Sequence, residues 1–521
     1  MRILTLFLAC FCFITQLVAQ NWNEHSKVIA SDRSANDHFG GAVAIDGDIA
    51  VIGAPYKNES VSVSEAGEVY VFERINGNWI EVQTLIPTTR VTEGLFGYSV
   101  AISGNYIVVG SYFDGLDKWD SNYVHQAGAA MIYERDAGGT WNLMQKICAS
   151  DRDYADEFGW SVSISGNSLV VGARADADSI FGGSSVFRAG SAYLFQKDAG
   201  GTWVETQKIV APDREASDNF GYAVSISGNK LAVSAPYDDK DAQGANLMLN
   251  AGSLYLYQED GNGTWTMMQK ILATDRASGS VLGESISLSN GYLIAGSVGQ
   301  DAAYIFETNA VGLWVEAQKI TSSDNEYDDN FAQSVSVDAD YVVVGANFED
   351  EDASGGNSLN AAGAAYIFER DASGIWSEIC KVVNADREYQ DNFGFAVAIS
   401  GNYALIGADL EDDDLSGAND LTKAGSAYFF GSPNIGVSES KHLSRVIAFP
   451  NPTSSRLTLD FGDTYQGSTY TVVNLLGEIL ETGSVNCQKQ DISLTGPDGV
   501  YLIKIQNLSG FLTIFKVVKR N

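Results

Sequence analysis

FGWSVSISGNSLVVGARADADSIFGGSSVFRAGSAYLFQKDAGGTWVETQKI, residues 158–209, decides the fold. Its apolar runs are 4 to 8 residues long, rich in Val, Ile, Leu and Tyr, and bounded by Gly, Asn or Asp, so they read as four strands. Strand A is Trp160 to Ser165, with Val162 and Ile164 on one face, and strand B is Leu169 to Ala173. Strand C begins at Gly190 and includes Tyr193 to Phe195; strand D carries Trp203 through Ile209. Gly166-Asn167 sits where a two-residue hairpin needs positive φ, and Gly104-Asn105, Gly228-Asn229 and Gly401-Asn402 repeat the device.

The same unit occurs seven times. Trp22, Trp79, Trp141, Trp203, Trp265, Trp314 and Trp376 are each followed 17 residues later by Phe39, Phe96, Phe158, Phe220, Leu282, Phe331 and Phe393. Successive Phe positions lie 57, 62, 62, 62, 49 and 62 residues apart, a period that suits one four-stranded blade and no helical repeat. Length differences fall in the B–C connection: 18 residues in five copies, 14 from Gly53 to Gly67, and 5 from Gly296 to Asp301. Trp22 to Ile29 is a D strand with no blade before it, and the last copy stops at Tyr428 to Phe430 without one. The expectation is an all-β, seven-bladed β-propeller over residues 20–431, its N-terminal strand closing the last blade and removing the exposed edge. The recurring Trp and Phe are expected between blades.

Charge is unevenly placed. The formal net charge is −34, and residues 441–521 carry 8 Lys plus Arg against 6 Asp plus Glu, so the first 440 residues hold −36. Such a surface argues against nucleic acid and anionic lipid as partners. The fourth residue past the glycine position of strand B is Asp114, Asp176, Asp238, Glu349 or Glu411, with Asp241, Asp350, Asp352, Asp412 and Asp414 close behind. Asp37, Asp156, Asp218, Asp329 and Asp391 form a second set two residues before Phe. Because B–C and D–A connections leave an up-and-down blade at the same end, one acidic ligand face is expected. Two sources of compensation stand open. The arginines of Asp32-Arg33, Asp151-Arg152, Asp213-Arg214, Asp275-Arg276 and Asp386-Arg387 are one; Ca²⁺ held by Asp350, Asp352, Asp412 and Asp414 is the other, with no cofactor otherwise required. Tyr237 and Phe348, standing just before the loop acids, are candidates to stack on sugar rings or to pack beneath a loop.

Phe220-Gly221 leading to Ser234-Ala235-Pro236, and Phe39-Gly40 leading to Gly53-Ala54-Pro55, resemble FG-GAP repeats, the unit of integrin α-subunit propellers and of bacterial surface proteins. The resemblance implies binding or adhesion only loosely. The calcium loop that such blades carry between strands A and B has no room in a two-residue turn here.

Residues 1–19 read as a signal peptide, with Arg2, an apolar run from Ile3 to Ile14, and Leu17-Val18-Ala19 before Gln20. Residues 432–446 lack blade phasing and read as a linker. Residues 447–521 carry Pro450-Asn451-Pro452, Leu476-Gly477-Glu478, the run from Gly499 through Tyr501 to Ile505, and a basic end at Lys516, Lys519 and Arg520. This segment is similar to the type A sorting domain of the type IX secretion system. The resemblance implies a small Ig-like β-sandwich, a Bacteroidetes-type cell, the secretion machinery as partner, and a product secreted or held at the outer cell surface.

Cys148, Cys380 and Cys487 match no zinc spacing, and Cys380 stands where Gln83, Gln145, Gln207, Gln269 and Gln318 stand in other copies. His25, His38, His125 and His442 are singletons, and no His-Glu-x-x-His, P-loop or Gly-x-Ser-x-Gly is present. No further stretch is apolar enough for a transmembrane segment. Copy five, with its lost loop and Glu284, breaks the repeat most. The sequence therefore favours a monomeric binding propeller for glycan or protein, with a secreted, carboxylate-based, polysaccharide-active hydrolase or lyase as the rival.

Overall fold

A computed structural model of the chain describes residues 22–179, 185–242, 244, 246–324, 326, 328–417, 420–432, 447–449, 456–460, 469–474, 479–484, 489–494, 499–506 and 512–520. The expected signal peptide, the linker after residue 432, and Pro450, Asn451, Pro452 and Gly477 lie outside them. The chain divides into two compact units, Met1–Pro433 and Asn434–Asn521.

Among the described residues the first unit holds seven four-stranded antiparallel sheets, one per sequence copy. The third consists of Phe158–Ser165, Ser168–Ala173, Ser191–Lys197 and Trp203–Ile209, so strand A begins two residues earlier than the sequence suggests. The seventh joins Phe393–Ser400, Tyr403–Ala408 and Ser426–Gly431 to Asn23–Val28, which pairs antiparallel with Ser426–Gly431. Strand A of each sheet contacts strand A of the next, and that of the seventh contacts that of the first. No α-helix occurs among the described residues; a single 3₁₀ turn, Val298–Gln300, replaces the lost loop of the fifth sheet. Repeated four-stranded sheets in this arrangement fit a β-propeller.

The core lies between sheets. Val108, Ala130 and Ile132 of the second sheet pack with Phe158, Leu169, Val171, Tyr193 and Trp203 of the third. The recurrent Phe and Leu282 are fully buried and the recurrent Trp nearly so. At six of the seven junctions a backbone hydrogen bond also crosses: Phe158 N–H donates to Ala127 O at 3.1 Å, Phe220 N–H to Ala189 O at 2.9 Å, and Phe39 N–H to Ala424 O at 2.9 Å. The approach is so close that a Cβ on Gly190 would stand 2.0 Å from the Phe220 carbonyl oxygen, which fixes glycine at the start of strand C.

The second unit contains two antiparallel sheets. One joins Ile447–Phe449, Arg456–Asp460 and Lys489–Ser493; the other joins Ile479–Ser484, Thr469–Asn474, Gly499–Gln506 and Leu512–Lys519. Ile447–Phe449 and Ile479–Ser484 were not anticipated from the sequence. Leu457, Tyr470, Val472, Ile492, Tyr501 and Ile503 are buried. Gly499 opens a strand, and Lys516 pairs with Leu502 in the sheet register.

Candidate functional site

The Phe-Gly step does more than pack. The glycine has φ near +90° in six copies, and Ala332 adopts φ 73° in the sixth. The register of strand A breaks here: Phe158 pairs with Ala173, and the next pair is Ser161 with Gly172. In the third, sixth and seventh sheets the residue two past Phe therefore sits in a bulge, a device that re-aims a side chain, and in the other four it lies before strand A begins, so in every copy it is outside the ladder. In copy order these residues are Gly41, Tyr98, Trp160, Tyr222, Glu284, Gln333 and Phe395. All seven line one cavity of about 440 Å³, within the usual range for ligand pockets. His38 from a D–A connection, and Tyr56 and Asp409 from B–C connections, complete its rim, so it opens at the end carrying those loops.

The flanking positions obey the repeat, yet the lining residues do not. Copies two to four supply an aromatic side. The Trp160 ring centroid lies 4.7 Å from Tyr98 and 5.6 Å from Tyr222, and Tyr112 stands 4.4 Å from Tyr98. Arg174 lies over the Trp160 ring and its Nε donates to Glu157 Oε2 at 2.6 Å, so its charge is neutralised where it is anchored. The other side is polar. Glu284 is partly buried, and desolvation pushes its carboxyl above the ordinary range while a hydrogen bond from Tyr237 opposes the shift. His38 Nδ1 stands 3.0 Å from Asp409 Oδ2. Sequence reading singled out Glu284 but missed the ring; the signal was wide variation at one position between neighbours that stay Phe-Gly, with Leu282 and Ala332 as exceptions, and small Ala or Ser.

The predicted loop-face acids divide into two groups. Asp114, Asp176, Asp238, Glu349 and Glu411 are buried inside their blades, at most 2 % exposed. Their partner is a lysine five residues past the tryptophan of strand D. Asp114 meets Lys146 at 2.8 Å, Asp176 meets Lys208 at 2.8 Å, Asp238 meets Lys270 at 2.6 Å and Glu349 meets Lys381 at 3.0 Å. Glu411 meets Lys27 of the N-terminal strand at 3.2 Å. A strand C tyrosine bridges the same groups: Tyr193 Oη reaches Asp176 at 2.6 Å and Asp151 at 2.8 Å. These carboxylates are thus engaged internally rather than presented to solvent.

The arginine expectation needs correcting. Arg152, Arg214, Arg276 and Arg387 donate to loop carbonyls, as Arg152 does to Gly115 O at 2.6 Å and Arg387 to Asp350 O at 2.7 Å. A planar guanidinium beneath a turning loop meets several carbonyls, while the compact ammonium of strand D reaches the carboxylates.

The remaining acids hold loop turns. Asp352 Oδ1 accepts from the backbone of Ser354 at 2.8 Å and of Gly356 at 3.1 Å, Asp350 Oδ1 from Ala361 at 2.8 Å, Asp241 Oδ2 from Asn246 at 3.1 Å, and Asp414 Oδ1 from Ser416 at 2.7 Å. Asp412 contributes its carbonyl, which accepts from Arg33 at 2.7 Å. Among the described residues no group of three or more His, Cys, Asp or Glu is arranged to hold a metal. Phe348 is 44 % exposed, and Tyr237 stands 6.0 Å from Tyr222 at the pocket side.

The architecture defines a repeat protein of propeller type with a separate all-β tail. The FG-GAP repeat pattern matches residues 22–72, 79–133, 141–195, 203–257, 314–368 and 376–430, and the chain belongs to this family. The unmatched copy is the fifth, where the loop is lost and Leu282 replaces Phe. Residues 447–520 match the secretion system C-terminal sorting domain, which directs export through the type IX system to the cell surface or beyond. No helix among the described residues is long and apolar enough to cross a membrane. Comparison with curated proteins found no match. Among solved structures, the chain is similar to a protein from Lactobacillus plantarum at 15% identity, covering 68% of this chain and 86% of that one with a TM-score of 0.43. It is also similar to a catalytically inactive virginiamycin B lyase from Staphylococcus aureus with quinupristin, at 7% identity, 79% and 99% coverage and a TM-score of 0.43.

Proposed function

We propose that the protein is an exported glycan-binding module, its seven sheets acting as blades of a ring closed by the N-terminal strand, with the ligand seated in the axial pocket. The two sheets of the tail are read as a small Ig-like sandwich recognised by the secretion machinery. The observation that carries this reading is the broken symmetry of the pocket ring. Six of seven copies keep Phe before it, while the lining changes from Tyr98, Trp160 and Tyr222 to Glu284 and Gln333. A packing role would keep one residue type; a site for one asymmetric ligand needs different groups at each position. Aromatic faces suit the apolar faces of sugar rings, and the carboxylate and amide opposite suit hydroxyls. The loop acids, taken up by Lys146, Lys208, Lys270 and turn amides, leave the pocket as the better candidate than the acidic rim.

The test is an oligosaccharide array probed with full-length protein and with Trp160→Ala. Saturable binding that weakens about tenfold or more in the variant, a change of 1.4 kcal/mol or above, supports the reading. Binding unchanged by Trp160→Ala would remove the pocket from it, and turnover of a bound glycan would favour the enzyme.

A further inference from the structure

We infer that the glycan taken by the axial pocket carries a free amine, and that Glu284 is the residue that meets it; this rests on the glycan reading of the pocket. Two acids line the cavity, Glu284 and Asp409, and they differ in their partners. Asp176, Asp238, Glu349, Glu157 and Asp409 each have a Lys, Arg or His partner, at 2.8, 2.6, 3.0, 2.6 and 3.0 Å. Among the described residues no ion pair reaches Glu284, and the side chain that hydrogen-bonds it is the neutral hydroxyl of Tyr237.

A desolvated carboxylate without a counter-charge is costly to keep ionised, less so where it is partly exposed. A ligand cation placed here would offset that cost and hold the carboxylate ionised. The walls favour the same sign. Ring faces of tyrosine, tryptophan and phenylalanine carry negative quadrupole potential, and Tyr98, Trp160, Tyr222 and Phe395 line the cavity with Glu284. Arg174, the cation nearest the aromatic side, is already held by Glu157. At longer range the −36 of the first 440 residues draws a polycationic chain toward this unit. A chain of amino sugars satisfies all three: its pyranose faces stack, one ammonium meets Glu284, and the others remain in the acidic field.

Calorimetric titration of full-length protein with a glucosamine tetramer and with its N-acetylated counterpart separates the possibilities, since acetylation removes the charge and keeps the ring. The expected result is binding of the free amine about tenfold tighter or more, a preference abolished by Glu284→Gln with the melting temperature unchanged. Equal binding of the two tetramers would overturn the amine while leaving a glycan pocket in place. Binding of neither would overturn the inference outright, with the array then deciding the broader reading. Preference for a lysine peptide over both sugars would assign the carboxylate to a protein partner instead. If Glu284→Gln lowers the melting temperature, Glu284→Asp, which keeps charge and shortens reach, should retain the amine preference at reduced affinity; loss of that preference would also count against the inference.

Discussion

The junction between the second and third sheets and the junction between the seventh and first solve one packing problem with different residues. In the first case Gln145 clasps the backbone of Trp203, donating from Nε2 to its carbonyl at 2.7 Å and accepting its N–H at 3.0 Å, while Ile132 packs in the same cluster. Gln83, Gln207, Gln269 and Gln318 make the same clasp with Trp141, Trp265, Trp314 and Trp376. In the second case Ser26 stands in the glutamine's place, its hydroxyl buried with no hydrogen-bond partner among the described residues, and Phe429 stands in that of Ile132. Phe429 stacks on Trp79 with centroids 4.1 Å apart and planes 6° from parallel. Aromatic surface replaces a polar clasp where the seventh sheet of the first unit meets the first. Dispersion and burial act without a single required geometry, which suits a strand that arrives from the far end of the sequence.

The largest effect should come from removing that stack. Phe429 is fully buried, so Phe429→Ala should destabilise the first unit by about 3–5 kcal/mol in denaturant unfolding. A cycle with Trp79→Ala should show coupling of about 0.5–1.5 kcal/mol beyond burial. Absence of coupling would mean that the seam is held by its other contacts, such as Gly47 N–H to Ser400 Oγ at 3.0 Å.

The clasp sets the next effect. Gln145→Ala strands the N–H and carbonyl of Trp203 and should cost about 1–3 kcal/mol. Ser26→Ala, at the equivalent place of the seam, removes an unpartnered hydroxyl and should be neutral or slightly stabilising. Equal losses from the two substitutions, measured by thermal unfolding, would erase the distinction between the junctions.

Much of this was legible in the chain. Trp and Phe at fixed spacing, Gly-Asn turns and the orphan strand at Trp22 to Ile29 are local signals, and each was read from residue type alone. The engagement of the loop acids was not, although lysine recurs five residues past six tryptophans, at Lys27, Lys146, Lys208, Lys270, Lys319 and Lys381. Alternation along strand D gives no sign that this lysine turns back toward a carboxylate two strands away. The pocket ring was hidden for a different reason. A bulge changes which way a residue faces without changing the pattern that surrounds it.

The acids two before Phe carry the comparison to its finest point, because the connection that bears them crosses each junction. At the seam Asp37 meets Lys57 at 3.0 Å. Between the second and third sheets Asp156 has no ion pair among the described residues, and burial followed by the charge of Asp176 pushes its carboxyl up to about 7. A folded-state value above the unfolded one means that this group's contribution is fully present below about pH 4 and is lost as pH rises through about 7. Asp156→Asn keeps an oxygen to accept the Asp153 N–H, now at 2.6 Å, and loses the titration. The variant should match the parent at pH 4 and exceed it by about 1–2 kcal/mol at pH 8. Burial also raises the Asp37 carboxyl, but Lys57 opposes that shift, and Asp37→Asn removes one of the two carboxylates, with Asp32 at 3.3 Å, that pair with this buried lysine, so it should destabilise at pH 8. The two substitutions, at equivalent positions, should therefore differ in sign under one denaturant titration, and a shared sign would show that Lys57 does not distinguish the seam.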